Sequence, residues 1–125
     1  MANPIIFISN QRIKPGQQDE YFRYYQQVVE QVRAAKPGTF AHLAYGERGG
    51  PDVSIVHIFP DAEAMEKHML GVDELAKKAF EYMEIVSFEI FGEPSQPVLD
   101  LMMKIAGSGI ELRQKPLTIG GYIRI

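Results

Sequence analysis

Three side chains in this sequence have the chemistry of proton transfer near neutral pH: His42, His57 and His68. Imidazole is the side chain whose ordinary pKa falls between pH 5 and 8, so it can take a proton from an acidic phenol or enol. His42 and His57 flank Arg48-Gly49-Gly50-Pro51, and the runs on either side, Thr39–Glu47 and Asp52–Phe59, have the signature of a β-hairpin. With the turn centred between Gly49 and Gly50, His42 falls opposite His57, among Phe40, Ala44, Ile55 and Phe59. Opposed side chains have Cβ atoms about 4.5–5.5 Å apart, close enough to share a ligand or a water. A slip of one residue sends the two rings to opposite faces. The functional expectation makes His57 and His42 proton acceptors, with His68 orienting the ligand. The plain alternative is polar packing in a core or interface, and on the residues alone both stay open. Three histidines also suggest zinc, but their spacing fits no metal motif and no carboxylate accompanies them, so no metal is expected and a zinc site stays an alternative.

These residues need elements to hold them. Pro4 to Ile13, rich in Ile and Phe, predicts a strand, closed by Lys14-Pro15-Gly16. From Gln17 to Lys36 the apolar residues Tyr21, Phe22, Tyr25, Val28, Val29 and Val32 recur at helical spacing. Asp19 and Glu20 at its start and Arg33 and Lys36 at its end suit the helix dipole, and Pro37-Gly38 ends it. After the hairpin, Asp61 caps a helix carrying Met65, His68 and Met69. Gly71 interrupts it, and Asp73 can cap a second piece whose apolar face is Leu75, Ala76, Ala79, Phe80 and Met83. Ile85 to Gly92 predicts a further strand. The order β-α-β-β-α-β is the ferredoxin-like α+β arrangement, an antiparallel sheet with helices on one face. Pro94 and Pro97 then open a helix to Ala106 that is apolar nearly all round, closed by Gly107-Ser108-Gly109. The tail, Ile110 to Ile125, adds one or two edge β segments.

The chain has 125 residues, the size of one domain, with a core at 4–92 and an extension at 93–125. Cysteine is absent, which excludes disulfides, thiolate metal sites and thiol nucleophiles. A net charge of −3 without a basic stripe argues against nucleic acid as a partner. The opening Met1-Ala2-Asn3-Pro4 lacks the charged start of a signal peptide, and no run is long enough to span a bilayer. A cytoplasmic domain is the expectation. Strand alternation adds a partner. The second face of the hairpin carries Ala41, Leu43, Tyr45, Val56 and Ile58, with Ser54 its one plainly polar side chain. A sheet covered by helices on one side ordinarily shows water a polar second face. Cover by a second copy is expected, a homodimer with the extension reaching over the partner.

The pattern resembles the dimeric α+β barrel superfamily, and within it the antibiotic-biosynthesis-monooxygenase-like domains. The resemblance rests on the first strand, the Lys14-Pro15-Gly16-Gln17 entry into a long helix, the hairpin, and Phe59-Pro60-Asp61-Ala62-Glu63-Ala64-Met65-Glu66-Lys67-His68-Met69. It covers residues 4 to 92, and the tail with Gly120-Gly121-Tyr122-Ile123-Arg124 resembles extensions on some members. It implies a pocket between sheet and helices for a hydrophobic, often aromatic or quinonoid molecule. Some members oxygenate such molecules without cofactor, the substrate anion reacting directly with oxygen. On this reading Asn10 directs an amide at a ligand oxygen, and Phe40, Phe59, Met65 and Met69 line the pocket; a strand-end amide and ordinary core filling are the alternatives. The chain departs from several active members in having no Trp, and Asp73 stands where a second His often follows the first. No His occurs in Leu75–Met83, where the haem-degrading branch has its axial ligand. The expectation is a cofactor-independent monooxygenase-like enzyme for a small aromatic or quinol-type substrate. The alternative is a non-catalytic binding or structural dimer.

Overall fold

The computed structural model describes residues 3–107 and 109–124. Ser108 of the expected helix stop, and Met1, Ala2 and Ile125, lie outside them. Strand β1 (Ile5–Ile13) leads into helix α1 (Gln18–Ala35), then strands β2 (Ala41–Gly46) and β3 (Asp52–Phe59). Helices α2 (Ala62–Met69) and α3 (Val72–Ala79) follow, then β4 (Met83–Phe91), helix α4 (Gln96–Ala106) and β5 (Glu111–Lys115). Asp61 caps α2 as expected, its Oδ1 accepting the Ala64 N–H at 2.8 Å. Asp73 does not cap α3: the preceding Gly71, at φ +77°, makes the bend, and Asp73 sits in the first turn. Such a left-handed turn costs glycine little and other residues more. Met83, expected on the helix face, instead opens β4.

The sheet runs β2-β3-β1-β4-β5, which is the ferredoxin-like order with one strand added. Every pairing is antiparallel except β4 with β5, so the sheet is mixed and not purely antiparallel. The reason is α4, which crosses back over the sheet and returns the chain in the direction of β4. β5 is an edge strand, as its breaker residues required; residues 116–124 add no second strand. A bulge between Asn10 and Gln11 in the β1–β4 ladder keeps both ends of β4 in phase with β1.

Alternation along β1 and β3 sorts the side chains. Ile5, Phe7, Ser9, Gln11 and Ile13, with Val53, Ile55, His57 and Phe59, are buried beneath the helices. One core cluster joins Phe7, Phe59, Met65, Ile90 and Met102 under α2 and α4. A second joins Ile13, Tyr21, Val53, Ile55 and Met83 under α1. Helix α4 buries Val98 and Met102 but leaves Asp100 and Lys104 exposed, so it needs less cover than its composition suggested. On α1, Tyr21 and Val32 are buried while Phe22 stands in solvent. The other sheet face is partly covered at most, with Leu43 and Tyr45 exposed.

Candidate functional site

The hairpin register places His42 directly opposite His57 on the helix-covered face. Helix α2 brings His68 over the pair. One ring nitrogen from each residue lies within 4.8 Å of the other two. The ring centroids are 4.5 Å apart for His42–His57, 5.5 Å for His57–His68 and 5.8 Å for His42–His68. His57 stacks on Phe7 at 4.7 Å, and the Phe59 ring meets His68 edge-on at 5.1 Å.

Each ring is held from behind. His57 Nδ1 lies 3.0 Å from the Phe7 carbonyl, which only accepts, so Nδ1 carries the proton of the neutral ring and Nε2 the lone pair. His42 Nδ1 meets the Tyr25 hydroxyl at 2.9 Å, and His68 Nδ1 meets Thr39 Oγ1 at 2.8 Å. None of the three Nε2 atoms has a hydrogen-bond partner among the described residues. None is sealed off either, since Ser95 Oγ is the one fully buried side-chain polar atom found without a partner there.

Burial sets the protonation state. It pushes His42 and His68 down to about 4, the latter helped by His42 and the Lys36 ammonium. His57 is also lowered well below the ordinary imidazole range, first by burial and then by its two histidine neighbours, against the Phe7 carbonyl bond. At pH 7 the cluster is three neutral rings. The Lys36 ammonium is anchored beside them, donating to the carbonyls of Lys67 and Leu70 at 3.0 and 2.9 Å. That bond set ties the end of α1 to the end of α2.

The rings open on a cavity of about 160 Å³ between α1, α3 and the sheet. Its walls are mostly apolar and include Ile55, Met69, Leu75, Met83, Phe88 and Met102. Elsewhere in the wall is a second polar group that the sequence analysis did not single out. The Tyr21 hydroxyl donates to Gln11 Oε1, and Gln11 Nε2 donates to Ser9 Oγ at 3.0 Å. Ser9 retains its own hydroxyl proton to donate. Burial raises Tyr21 far above the ordinary phenol range and Tyr25 to about 12, so both remain hydroxyls.

The expected lining is partly redistributed. Met69 lines the cavity; Phe59 and Met65 lie in the core behind it. Phe40 is half exposed and does not reach the cavity. Asn10 points to the other sheet face, because it is out of phase with Phe7, Ser9 and Gln11. There its amide donates to Ser87 Oγ and Glu89 Oε2 at 3.1 and 2.9 Å, and its Oδ1 accepts from Ser54 Oγ at 2.6 Å. That placement corrects the expectation of a ligand-facing amide. The missed residues could have been found by phase: Ser9 and Gln11 are polar side chains on the buried parity of β1.

A ferredoxin-like sheet with an apolar cavity beneath its helices defines the class of the chain. The sequence profile of the antibiotic biosynthesis monooxygenase family matches residues 4–71, more than half of the chain. The chain belongs to that family. MupZ from Pseudomonas fluorescens has a similar structure, with a TM-score of 0.70 at 16% identity over 95% of both chains, so the likeness extends into the C-terminal extension. SnoaB, a cofactor-independent oxygenase from Streptomyces nogalater, gives 0.61 at 15% identity, over 76% of this chain and 97% of its own. A conserved protein from Methanosarcina mazei gives 0.58 at 16% identity, over 70% and 89%. At these identities the likeness is one of fold. No curated protein sequence matches the chain.

Proposed function

We propose that the chain is a monooxygenase-like enzyme acting on a small hydrophobic aromatic or quinol-type substrate held between the sheet and the helices. The observation that carries this reading is the trio of neutral imidazoles, each with an unpaired Nε2, at the wall of an apolar cavity. An apolar cavity of about 150 Å³ is known to accommodate benzene, so the space suits one aromatic ring. A substrate hydroxyl lying against His57 Nε2 gives up its proton there, with His42 and His68 flanking it. Ser9, at the end of the Tyr21–Gln11 chain, donates to a second substrate oxygen. The resulting electron-rich anion reacts with dioxygen, one oxygen atom staying on the product and the other leaving as water. The electrons come from the substrate, so no flavin or haem is required.

The functional unit in this proposal is a homodimer joined through the open sheet face. Ile6, Ile8, Leu43, Tyr45, Val56 and Ile58 make that face too apolar for water, and the Asn10–Ser54–Ser87–Glu89 polar group at its middle supplies a register. Among the described residues no helix is long and apolar enough to cross a membrane. The test is oxygen consumption with a panel of single-ring hydroquinones. Uptake that falls at least tenfold in His57→Ala supports the reading; equal uptake in wild type and variant overturns it. One observation favours a second reading, a binding protein without turnover: imidazoles pushed down to about 4 are weak bases. Ligand-induced thermal stabilisation without oxygen uptake would identify it.

A further inference from the structure

We propose that His42, His57 and His68 form a seat for a first-row divalent metal ion of the zinc class, with one coordination position open to the cavity. Three features of the cluster point there. The first is convergence: β2, β3 and α2 each supply one imidazole, with one nitrogen from each inside a 4.8 Å circle. Three imidazoles bound tetrahedrally through nitrogen at about 2.0–2.1 Å place their ring centroids about 5 Å apart. The centroids here are separated by 4.5, 5.5 and 5.8 Å. The nitrogens of a tetrahedral site stand about 3.3 Å apart, so the rings must draw together from their present spread of up to 4.8 Å to seat an ion.

The second feature lies behind the rings. Metal-bound histidines characteristically donate their other ring N–H to a carbonyl, carboxylate or similar acceptor, which fixes the tautomer and aims the free lone pair. Here all three Nδ1 atoms have such a partner: the Phe7 carbonyl, the Tyr25 hydroxyl and Thr39 Oγ1. Tyr25 also lies 3.4 Å from the His42 carbonyl, to which its proton can be given while its oxygen accepts from His42 Nδ1–H. The third feature is access: among the described residues none of the three Nε2 atoms meets a protein partner, and none is fully buried, so each can face a ligand in the cavity.

Three neutral ligands would leave the ion its full positive charge in an apolar surrounding, so the open position suits an anionic oxygen such as hydroxide. On the function proposed above, a phenol or enol entering there would give its proton to that hydroxide, which would leave as water, and His57 would serve as a ligand and not as the base. The ion would supply Lewis-acid chemistry and carry no electrons.

The experiment is a cobalt(II) and zinc titration of chelator-treated full-length protein. One cobalt per chain is expected, with the intense visible absorption of four-coordinate cobalt(II), displaced by zinc. His57→Ala and His42→Ala should abolish the spectrum while the far-ultraviolet circular dichroism stays native. Tyr25→Phe, which removes a partner without touching a ligand, should weaken binding by about 10–100-fold. If a histidine variant does not fold, the Tyr25→Phe shift decides. No cobalt spectrum at a hundredfold excess of metal, or binding unchanged in the variants, overturns the proposal. Oxygen uptake that persists in chelated protein with no metal-binding capacity would sink this inference and spare the proposed function. Bound metal without any uptake would do the reverse.

Discussion

Acidification of the metal-free protein tests the cluster without any knowledge of its substrate. An imidazole in the unfolded chain has a pKa near 6.5, whereas His42 and His68 are held near 4 in the fold, mainly by burial. Above pH 6.5 both states are neutral and the difference has no effect. Below it the unfolded chain takes up protons that the folded chain refuses, so stability declines as pH falls and levels off only near pH 4. Each pH unit in that window costs about 1.4 kcal/mol per ring, so a drop from pH 7 to pH 5 costs about 2 kcal/mol for each of these two. His57, lowered in the same direction, adds to the loss. A total of about 4 kcal/mol or more is a large part of the 5–15 kcal/mol typical of a domain. Urea unfolding at pH 7 and pH 5, at one protein concentration and in the presence of chelator, measures it. In His42→Gln the pH dependence should shrink by about 2 kcal/mol. A wild-type unfolding free energy that holds within about 1 kcal/mol across this range would show that the rings titrate normally and refute the argument.

Other predictions follow from single contacts. Phe59 is fully buried against Met65 and His68, so Phe59→Ala should cost about 3–5 kcal/mol in chemical denaturation. Tyr21→Phe leaves Gln11 Oε1 buried without its donor and should cost about 1–3 kcal/mol, read as a lowered thermal midpoint. Leu43→Asp with Tyr45→Asp places charge on the exposed side of the hairpin; analytical ultracentrifugation should show the proposed dimer converted to monomer, and a wild-type monomer would remove the need for a partner. Asp61→Ala, which removes the cap at the start of α2, should lower stability by about 1 kcal/mol in urea unfolding.

The opposition of His42 and His57 was legible because a short hairpin transmits its turn geometry directly to its register. The place of His68 followed less directly, from a capped helix separated from β3 by two residues. At Asn10 side-chain chemistry and strand phase point opposite ways: its amide suits a ligand oxygen, while the alternation of β1 assigns Ser9 and Gln11, and not Asn10, to the covered face. The roles of Tyr25 and Thr39 had no local signal, since each meets its histidine across 17 and 29 residues of chain. The parallel return of β5 was equally hidden, because a five-residue strand has no intrinsic direction and the helix before it decides.

The two rims of the sheet differ in a way that governs how this molecule meets others. The β5 rim carries Glu111, Arg113 and Lys115, with Glu111 and Arg113 paired at 2.8 Å, and charged rims resist the addition of a further strand. The β2 rim reads Ala41-His42-Leu43-Ala44-Tyr45-Gly46, with no fixed charge. Its outward amides and carbonyls are the natural template for an extended segment of another chain. Any such segment would lie alongside His42, so sheet growth and the chemistry of the cavity meet at one residue, and self-association through that rim would be felt at the histidine cluster.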